Sequence, residues 1–197
     1  YKSRLTPLGC DGFTFAASGA LAGRAPFKDI WVDGDATAGT ICFDVKVDAT
    51  AATRVSGLLF DNVYVDGFEI AWDLGGTWHT TIRHCHAYAV WKAVHLIDRN
   101  IQTIIDGCTF SISGATTGTG VATGIHQELG ATYRSEDLQV LNSLALGFAH
   151  GANIENCLYT NIDGCDFDQI TERLDENTLF SEWFGETEDG KKIKIDH

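Results

Sequence analysis

The 197-residue sequence contains no methionine, only 2 prolines, and 14 lysine and arginine residues against 27 aspartate and glutamate residues. The formal net charge of −13 argues against a nucleic-acid partner, because binding to a phosphate backbone starts from a basic surface. No stretch approaches the roughly 20 apolar residues of a membrane span, so we expect no membrane insertion. The N-terminal residues do not form a signal peptide, and with no methionine we expect a fragment of a longer chain.

Glycine, in contrast, is abundant, with 21 residues, and hydrophobic residues make up 44% of the chain. This apolar content is typical of a folded protein and too high for intrinsic disorder. Many glycines and few prolines favour short strands joined by tight bends.

A hexapeptide pattern recurs along the chain, with a base period of 22–23 residues and longer intervals where loops are inserted. Its first position is apolar, its second mostly charged, and its third always Gly, Asn or His, which tolerate positive φ. Each copy therefore predicts a strand, a one-residue bend and a second strand. The six copies begin at Val32, Phe60, Ile82, Ile105, Val140 and Ile162.

A unit of this length cannot bury its own apolar face, but stacked units form a parallel β-helix with about 4.8 Å between rungs. Helical repeats would need longer units with a 3.6-residue periodicity, which is absent from the sequence. We therefore predict an all-β, single-stranded parallel β-helix of about six rungs over residues 30–170. Residues 1–29 form an N-terminal segment or the start of the solenoid. Residues 171–197 form an acidic distorted coil, cap or arm.

A second row of strands follows the bends. It is predicted at 41–45, 68–74, 93–97, 124–129 and 152–156. The Gly/Thr/Ser-rich stretch 111–123 and the polar stretch 130–137 read as loops that project from one rung.

Residues 55–170 resemble the β-helix of bacteriophage tailspike proteins, which belong to the pectate-lyase-like superfold. The resemblance rests on VLNS at 140–143, GFAHGANI at 147–154 and LYTNIDGCDFD at 158–168. It implies a right-handed coil and a homotrimer in the virion tail. It also implies a role outside the cell at the bacterial surface, binding and in many members cleaving host polysaccharide. Catalytic motifs of the pectinolytic relatives are incomplete here, so the resemblance transfers no catalytic residue.

Glycoside hydrolysis requires two carboxylates about 5–5.5 Å apart for retention or 6.5–9.5 Å apart for inversion. Adjacent and next-nearest rungs provide such separations. Glu128 with Glu155, or Asp98 with Glu128, could therefore act as an acid and base pair. Against this, outward strand positions are often charged simply because they face water.

Two alternatives remain open at this stage. In a lyase, His95 or His126 would abstract a proton while Arg99 or Arg134 neutralises the uronate carboxylate. In a non-catalytic receptor-binding or structural segment of a trimeric tail protein, the same face would only bind saccharide or stabilise the fold.

Aromatic rings near the turns are candidate platforms for sugar rings, although packing against a loop would explain them equally well. With the polar residues beside them, the expected substrate-binding residues are Trp72, Asp73, Trp78, Trp91, Arg99, Tyr133 and Arg134. We expect no cofactor and no metal site.

Two other columns of the repeat are interpreted as structural. Cys85, Cys108 and Cys165 share an inward column and suit packing as small buried hydrophobes. The second position of the repeat points outward and contains Asp61, Arg83 and Asp106 on successive rungs. This alternation of charge predicts an ion-pair ladder.

Overall fold

The computed structural model describes residues 3–7, 9–15, 20–46, 54–115, 118–128, 134–155 and 157–168. These residues form seventeen strands and no helix, and so contain no helical segment able to cross a membrane. The strands are β1 (Ser3–Leu5), β2 (Phe13–Phe15), β3 (Ala20–Lys28), β4 (Ile30–Lys46), β5 (Arg54–Asp61), β6 (Tyr64–Gly75), β7 (Thr77–Arg83), β8 (His86–Tyr88), β9 (Lys92–Ile97), β10 (Ile101–Asp106), β11 (Thr109–Ser111), β12 (Thr123–Gln127), β13 (Ser135–Leu141), β14 (Leu144–Leu146), β15 (His150–Ile154), β16 (Cys157–Asp163) and β17 (Asp166–Asp168).

All pairings between these strands are parallel and join one turn of the chain to the next. Face 1 is the six-stranded sheet β3-β5-β7-β10-β13-β16. Face 2 is the row β4-β6-β8-β11-β14-β17, and face 3 is the row β2-β4-β6-β9-β12-β15. The long strands β4 and β6 contribute to both of these rows. The predicted parallel β-helix is confirmed, and the six strands of face 1 agree with about six rungs.

The register confirms five of the six predicted copies of the hexapeptide. Phe60, Ile82, Ile105, Val140 and Ile162 pair in succession down face 1. The first copy was wrong, because Val32 pairs with Val65 on face 2 and therefore occupies the sixth position of the repeat. The first position of that rung is Phe27, which pairs with Phe60. The bend two residues later is Asp29, which the Gly/Asn/His pattern did not include.

The predicted bend between faces 1 and 2 is confirmed. Its residues have φ between 48° and 62°, in the left-handed region that Gly, Asn and His tolerate best. They are Asp29, Asn62, His84, Gly107, Asn142 and Gly164.

A second left-handed column, which the sequence analysis did not detect, runs down face 1. It contains Gly57, His79, Gln102, Asp137 and Tyr159, with φ between 55° and 79°. Three of these residues, His79, Gln102 and Asp137, line part of a shallow groove of about 170 Å³ on the outer surface of the sheet.

The core is a stack of inward-facing side chains from all three faces. Phe43 stacks on Phe13 and on Trp72 at ring-centroid distances of 5.0 and 6.0 Å. Each fully buried side chain of this size stabilises the fold by about 1.5–3 kcal/mol. Cys85 and Cys108 are buried in register, which confirms the inward cysteine column.

The predicted ion-pair ladder is present in part on the outside of the coil, because Arg83 pairs with Asp61 whereas Asp106 accepts from Asn142 Nδ2 at 3.0 Å. Asp61 accepts from Arg83 at 2.9 Å and lies 3.1 Å from Lys28. Hydrogen bonding to Arg83 lowers the pKa of Asp61 to about 2, against a small opposing effect of burial. Because these groups are exposed, the ladder contributes little to stability.

The corner between faces 3 and 1 is held by the buried side chain of Asn100. Its Oδ1 accepts hydrogen bonds from the backbone N–H and the hydroxyl of Thr77, and its Nδ2 donates to the carbonyls of Leu74 and Ile97. The Asn100 backbone N–H donates to Ser135 Oγ. The side chain and the backbone N–H of Asn100 together connect three successive rungs.

We predict that Asn100→Ala lowers the free energy of unfolding by about 3 kcal/mol or more, since several buried donors and acceptors lose their partner at once. Chemical denaturation followed by far-UV circular dichroism measures this change. Asn161→Ala, at an exposed position on face 1, is the matched control and should change stability by less than about 0.5 kcal/mol. Equal effects of the two substitutions would refute the role assigned to Asn100.

Candidate functional site

A column of polar side chains runs down the outside of face 3. Residues one position earlier on these strands point into the core, so the alternation of a β-strand places this column outside. The column, in rung order, is Asp44, Asp73, His95, His126 and Asn153.

Asp73 is the second residue of this column, and it is only 2% exposed. Lys46 Nζ lies 2.7 Å from one carboxylate oxygen, and His95 Nδ1 lies 3.0 Å from the other. Burial alone would raise the pKa of Asp73, but the hydrogen bonds from His95 and Lys46 outweigh it and lower the pKa below its usual value. Asp73 is therefore a buried anion with two partners.

His95 connects this buried anion to a carboxylate at the surface. Its Nε2 lies 2.9 Å from Glu128 Oε2, and the Glu128 side chain is 48% exposed. Both ring nitrogens of His95 thus face a carboxyl group. Since an ionised carboxylate only accepts hydrogen bonds, His95 is either doubly protonated or shares a proton with Glu128.

His126 repeats the arrangement one rung further along. Its ring stacks on His95 at 5.1 Å, and its Nε2 lies 2.9 Å from Glu155 Oε1, which also accepts from Asn153 Nδ2 at 3.0 Å. Burial lowers the pKa of His126, with the positive charges of His95 and Lys92 acting in the same direction and Glu155 opposing them. Neutral His126 donates from Nε2, because Glu155 only accepts when ionised.

We call Asp73, His95, Glu128, His126 and Glu155 the histidine–carboxylate network. Glu128 and Glu155 follow paired residues of β12 and β15, and each is held by a histidine of the stacked pair. Their backbone positions are therefore one rung, about 5 Å, apart. Such a pair can provide one proton donor and one anion to the same bound molecule.

The other predicted catalytic residue, Asp98, lies outside this network. It follows face 3 at the corner, with φ of 54°, and its backbone carbonyl accepts from Asn100 and Ser135. The structure thus brings Glu128, Glu155, His95 and His126 together and assigns Asp98 to the turn.

The prediction of Trp72 as a sugar platform was wrong. Its side chain is fully buried, with the ring 6.0 Å from Phe43 and 6.2 Å from Phe110. Since side chains alternate along a strand, Trp72 must point inward where Asp73 points outward. Asp73 is itself too deeply buried to contact substrate and instead positions His95.

Trp91 packs under a loop. Its Nε1 donates to the carbonyl of Gly120, and Glu69 holds the same loop through the backbone N–H and hydroxyl of Thr119. The indole ring lies against Gly118, where a Cβ would meet it at 2.5 Å. The alternative considered for Trp91, packing against a loop, agrees with these contacts.

The remaining candidates lie around the corner between faces 3 and 1. Trp78 is half-buried beside Arg54 and Arg99, and Arg134 is exposed. Tyr133 lies outside the described residues.

Sequence reasoning missed Lys46 and Asn153 as parts of the site. Both occupy face 3, and alignment of its rungs would have found Asn153 in the same column as the two histidines. Lys46 lies one residue beyond the predicted strand at 41–45 and pairs with Gly75, so only the observed length of β4 brings it beside Asp73.

Parallel strands and an aromatic core define a β-helix, with a column of polar side chains on the outside of face 3. No protein-family model matches the chain. The chain is similar to a tail spike protein of Shigella phage Sf6, with 24% identity over 147 residues, or 72% of this chain. The chain spans 23% of the length of that relative. The similarity agrees with the resemblance drawn from residues 55–170 and suggests a place in a phage tail.

We predict that Asp73→Asn lowers the free energy of unfolding by roughly 2–3 kcal/mol at pH 7, because Lys46 and His95 lose a buried anionic partner. The pKa of Asp73 is lower in the folded protein than the ordinary value of 3.8. Its ionised form therefore stabilises the fold above that value, and the contribution is lost as pH falls through the folded pKa. In denaturant titrations of both proteins from pH 7 to pH 2.5, the difference in the free energy of unfolding should shrink as the pH falls below 3.8.

Asp166→Asn, at an exposed site on face 2, is the control for loss of one carboxylate and should follow the parent protein at every pH. A difference between Asp73→Asn and the parent that persists unchanged at pH 2.5 would contradict the ionic role of Asp73.

Proposed function

We propose that this chain is the β-helix segment of a phage tailspike that binds bacterial surface polysaccharide and cleaves it by glycoside hydrolysis on face 3. The similarity to a tail spike protein supports the tail location and the polysaccharide ligand. Action outside the cell at the bacterial surface, in a homotrimer, belongs to the same proposal. The histidine–carboxylate network supports the cleavage step.

The observation that carries the proposal is the pair Glu128 and Glu155, one rung apart and each hydrogen-bonded to its own histidine. A separation near 5 Å matches retaining glycosidases, in which one carboxyl group is the acid and the other the nucleophile. Simple exposure to water would account for two surface carboxylates, but not for two stacked histidines behind them, one of which, His95, is buried against a third carboxylate.

Glu128 suits the role of general acid. Asp73, kept ionised by Lys46, accepts from His95 Nδ1, so the proton on the other side is shared between His95 Nε2 and Glu128 Oε2. When Glu128 gives the shared proton to the glycosidic oxygen, Glu128 becomes a carboxylate and His95 is left neutral, with its one proton on Nδ1 facing Asp73. A general acid positioned this way accelerates cleavage by about 10²–10⁴-fold.

Glu155 suits the role of nucleophile. His126 Nε2–H and Asn153 Nδ2–H both donate to its Oε1, which orients the carboxylate for attack on the anomeric carbon. The glycosyl–enzyme ester is then hydrolysed by a water that Glu128, now ionised, deprotonates. The stereochemistry of the anomeric carbon is retained.

The lyase alternative is less well supported. Its base would be His95 or His126, but both nitrogens of His95 face carboxyl groups, and His126 Nε2 faces Glu155. His126 Nδ1 is buried within the described part of the chain. Neither imidazole presents a nitrogen to solvent for abstraction of a substrate proton.

We predict that Glu128→Gln and Glu155→Gln each reduce cleavage at least about 100-fold, because one loses the proton donor and the other the nucleophile. The measurement is release of reducing ends by the full-length protein from a panel of purified bacterial capsular and O-antigen polysaccharides. Proton NMR of the first product should show the anomeric configuration of the substrate.

Asp98→Asn at the corner and Glu136→Gln on face 1 are matched controls and should retain cleavage. Binding without release of reducing ends would refute hydrolysis and leave a receptor-binding segment. A product with strong near-ultraviolet absorbance from a new double bond would support the lyase instead. A first product with inverted anomeric configuration would refute the assignment of Glu155 as the nucleophile.

A further inference from the structure

The left-handed column of face 1 continues over four rungs without a glycine. His79, Gln102, Asp137 and Tyr159 have φ of 55°, 55°, 59° and 63°. The residues before and after them pair in register, so the four residues lie side by side on successive rungs. At about 4.8 Å per rung they extend over about 14 Å along the axis. We call these four residues the face 1 column.

This backbone conformation is costly for a residue with a side chain. The left-handed region brings Cβ close to the backbone, and for a residue as bulky as Tyr159 it is a clear outlier. Gly57 has the same role on the preceding rung, with φ of 79°, so glycine is accommodated in this column. Strained positions of this kind cluster at ligand-binding sites, which points to a role for the four side chains.

The groove on face 1 lies between two rows of side chains. One row is His79, Gln102 and Asp137, and the other, two residues later on the same strands, is Thr81, Ile104 and Gln139. Two residues of strand span about 7 Å, so the groove is narrow across the strands and elongated along the axis. Its lining combines an apolar side chain with several polar ones, as in sites that bind small polar molecules.

The polar side chains of the groove have unused hydrogen-bonding capacity. His79 and Gln102 have no hydrogen-bond partner among the residues that the structure describes. Asp137 Oδ1 accepts from Gln139 Nε2 at 3.0 Å, which fixes the carboxylate. An imidazole, an amide and a carboxylate together provide both donors and acceptors, and saccharide hydroxyl groups require both.

Tyr159 adds an aromatic ring at the end of the groove. It lies one rung beyond Asp137 and is 81% exposed. A tyrosine combines a broad apolar ring with a polar hydroxyl, so it can pack on the apolar face of a sugar ring while remaining hydrated at its tip. Sequence reasoning looked for such platforms near the turns and did not include Tyr159.

The charge of the groove favours an uncharged ligand that is bound without being cleaved. Its lining residues include one carboxylate, Asp137, and no lysine or arginine, and the chain as a whole carries a net charge of −13. An anionic saccharide would therefore be repelled. Hydrolysis requires two carboxylates, and the lining provides only one.

We propose that the face 1 column binds a neutral segment of the polysaccharide without cleaving it. The column would thereby hold the polymer on the protein between cleavage events on face 3 and raise its effective concentration there. The inference rests on the proposed function for the identity of the polymer, and it adds a second binding site on a different face.

The test uses Gln102→Gly and Tyr159→Gly in the full-length protein. Each substitution removes a side chain and relieves the left-handed backbone, so a loss of binding would not reflect a loss of stability. Calorimetry measures binding of purified neutral O-antigen polysaccharides, with Glu155→Gln also present so that the ligand is not cut. We expect each glycine variant to bind at least one of these polysaccharides roughly tenfold or more weakly.

Asp98→Gly is the matched control. It makes the same change at a left-handed position, with φ of 54°, but at the corner after face 3. It should leave the affinity unchanged. In protein that retains Glu155, the two face 1 variants should raise KM for the polymer about tenfold while kcat stays within about twofold of the parent value.

Unchanged affinity in both face 1 variants overturns the groove as a saccharide site, while the proposed function stands. Binding of acidic polysaccharides alone overturns the neutral ligand class. Failure of every polysaccharide to bind overturns both proposals. Weaker binding by the variants of a parent protein that cleaves nothing supports the groove and refutes the hydrolysis. A changed oligomeric state of the variants in sedimentation velocity makes the column a contact between copies of the chain and overturns the inference.

Discussion

The in-register pairing of each strand with the strand one turn later is the constraint on which the rest of this structure depends. It makes residues 22 or more positions apart into neighbours, with a constant spacing along the axis. Every feature described above is a column produced by that pairing. The columns include the phenylalanine stack inside, the bends between faces 1 and 2, the ion-pair ladder and the histidine–carboxylate network.

Register also explains how the network tolerates so many charges. Asp73 would be costly to bury alone, but the rungs on either side supply Lys46 and His95 at hydrogen-bonding distance. The same stacking that orders the core therefore keeps the pKa of Asp73 below its usual value. The histidines of the outer column hold the carboxylates of Glu128 and Glu155 in one orientation, which a flexible surface loop could not do.

The fold could be predicted because its period is visible in local sequence, where bend residues that tolerate positive φ follow an apolar position. The failure at Val32 has a simple cause, because the true bend of that rung is Asp29 and loops lengthen the interval. The histidines and glutamates of the site were found by the same alignment. Trp72 was misplaced because strand alternation was not applied between it and Asp73. Asp98 lies at the corner after face 3 with φ of 54°, where strand alternation does not fix the direction of a side chain.

The absence of any pairing between sequence neighbours in the described strands has a kinetic consequence. No hairpin can form early, so the chain must close a loop of about one full turn before the first backbone hydrogen bonds between strands compensate for the lost entropy. Once one coil exists, its free edge is a template for the next, and growth becomes sequential. Folding should thus be slow to initiate. The free edge of an unfinished coil is the place at which it would pair with a strand from another chain.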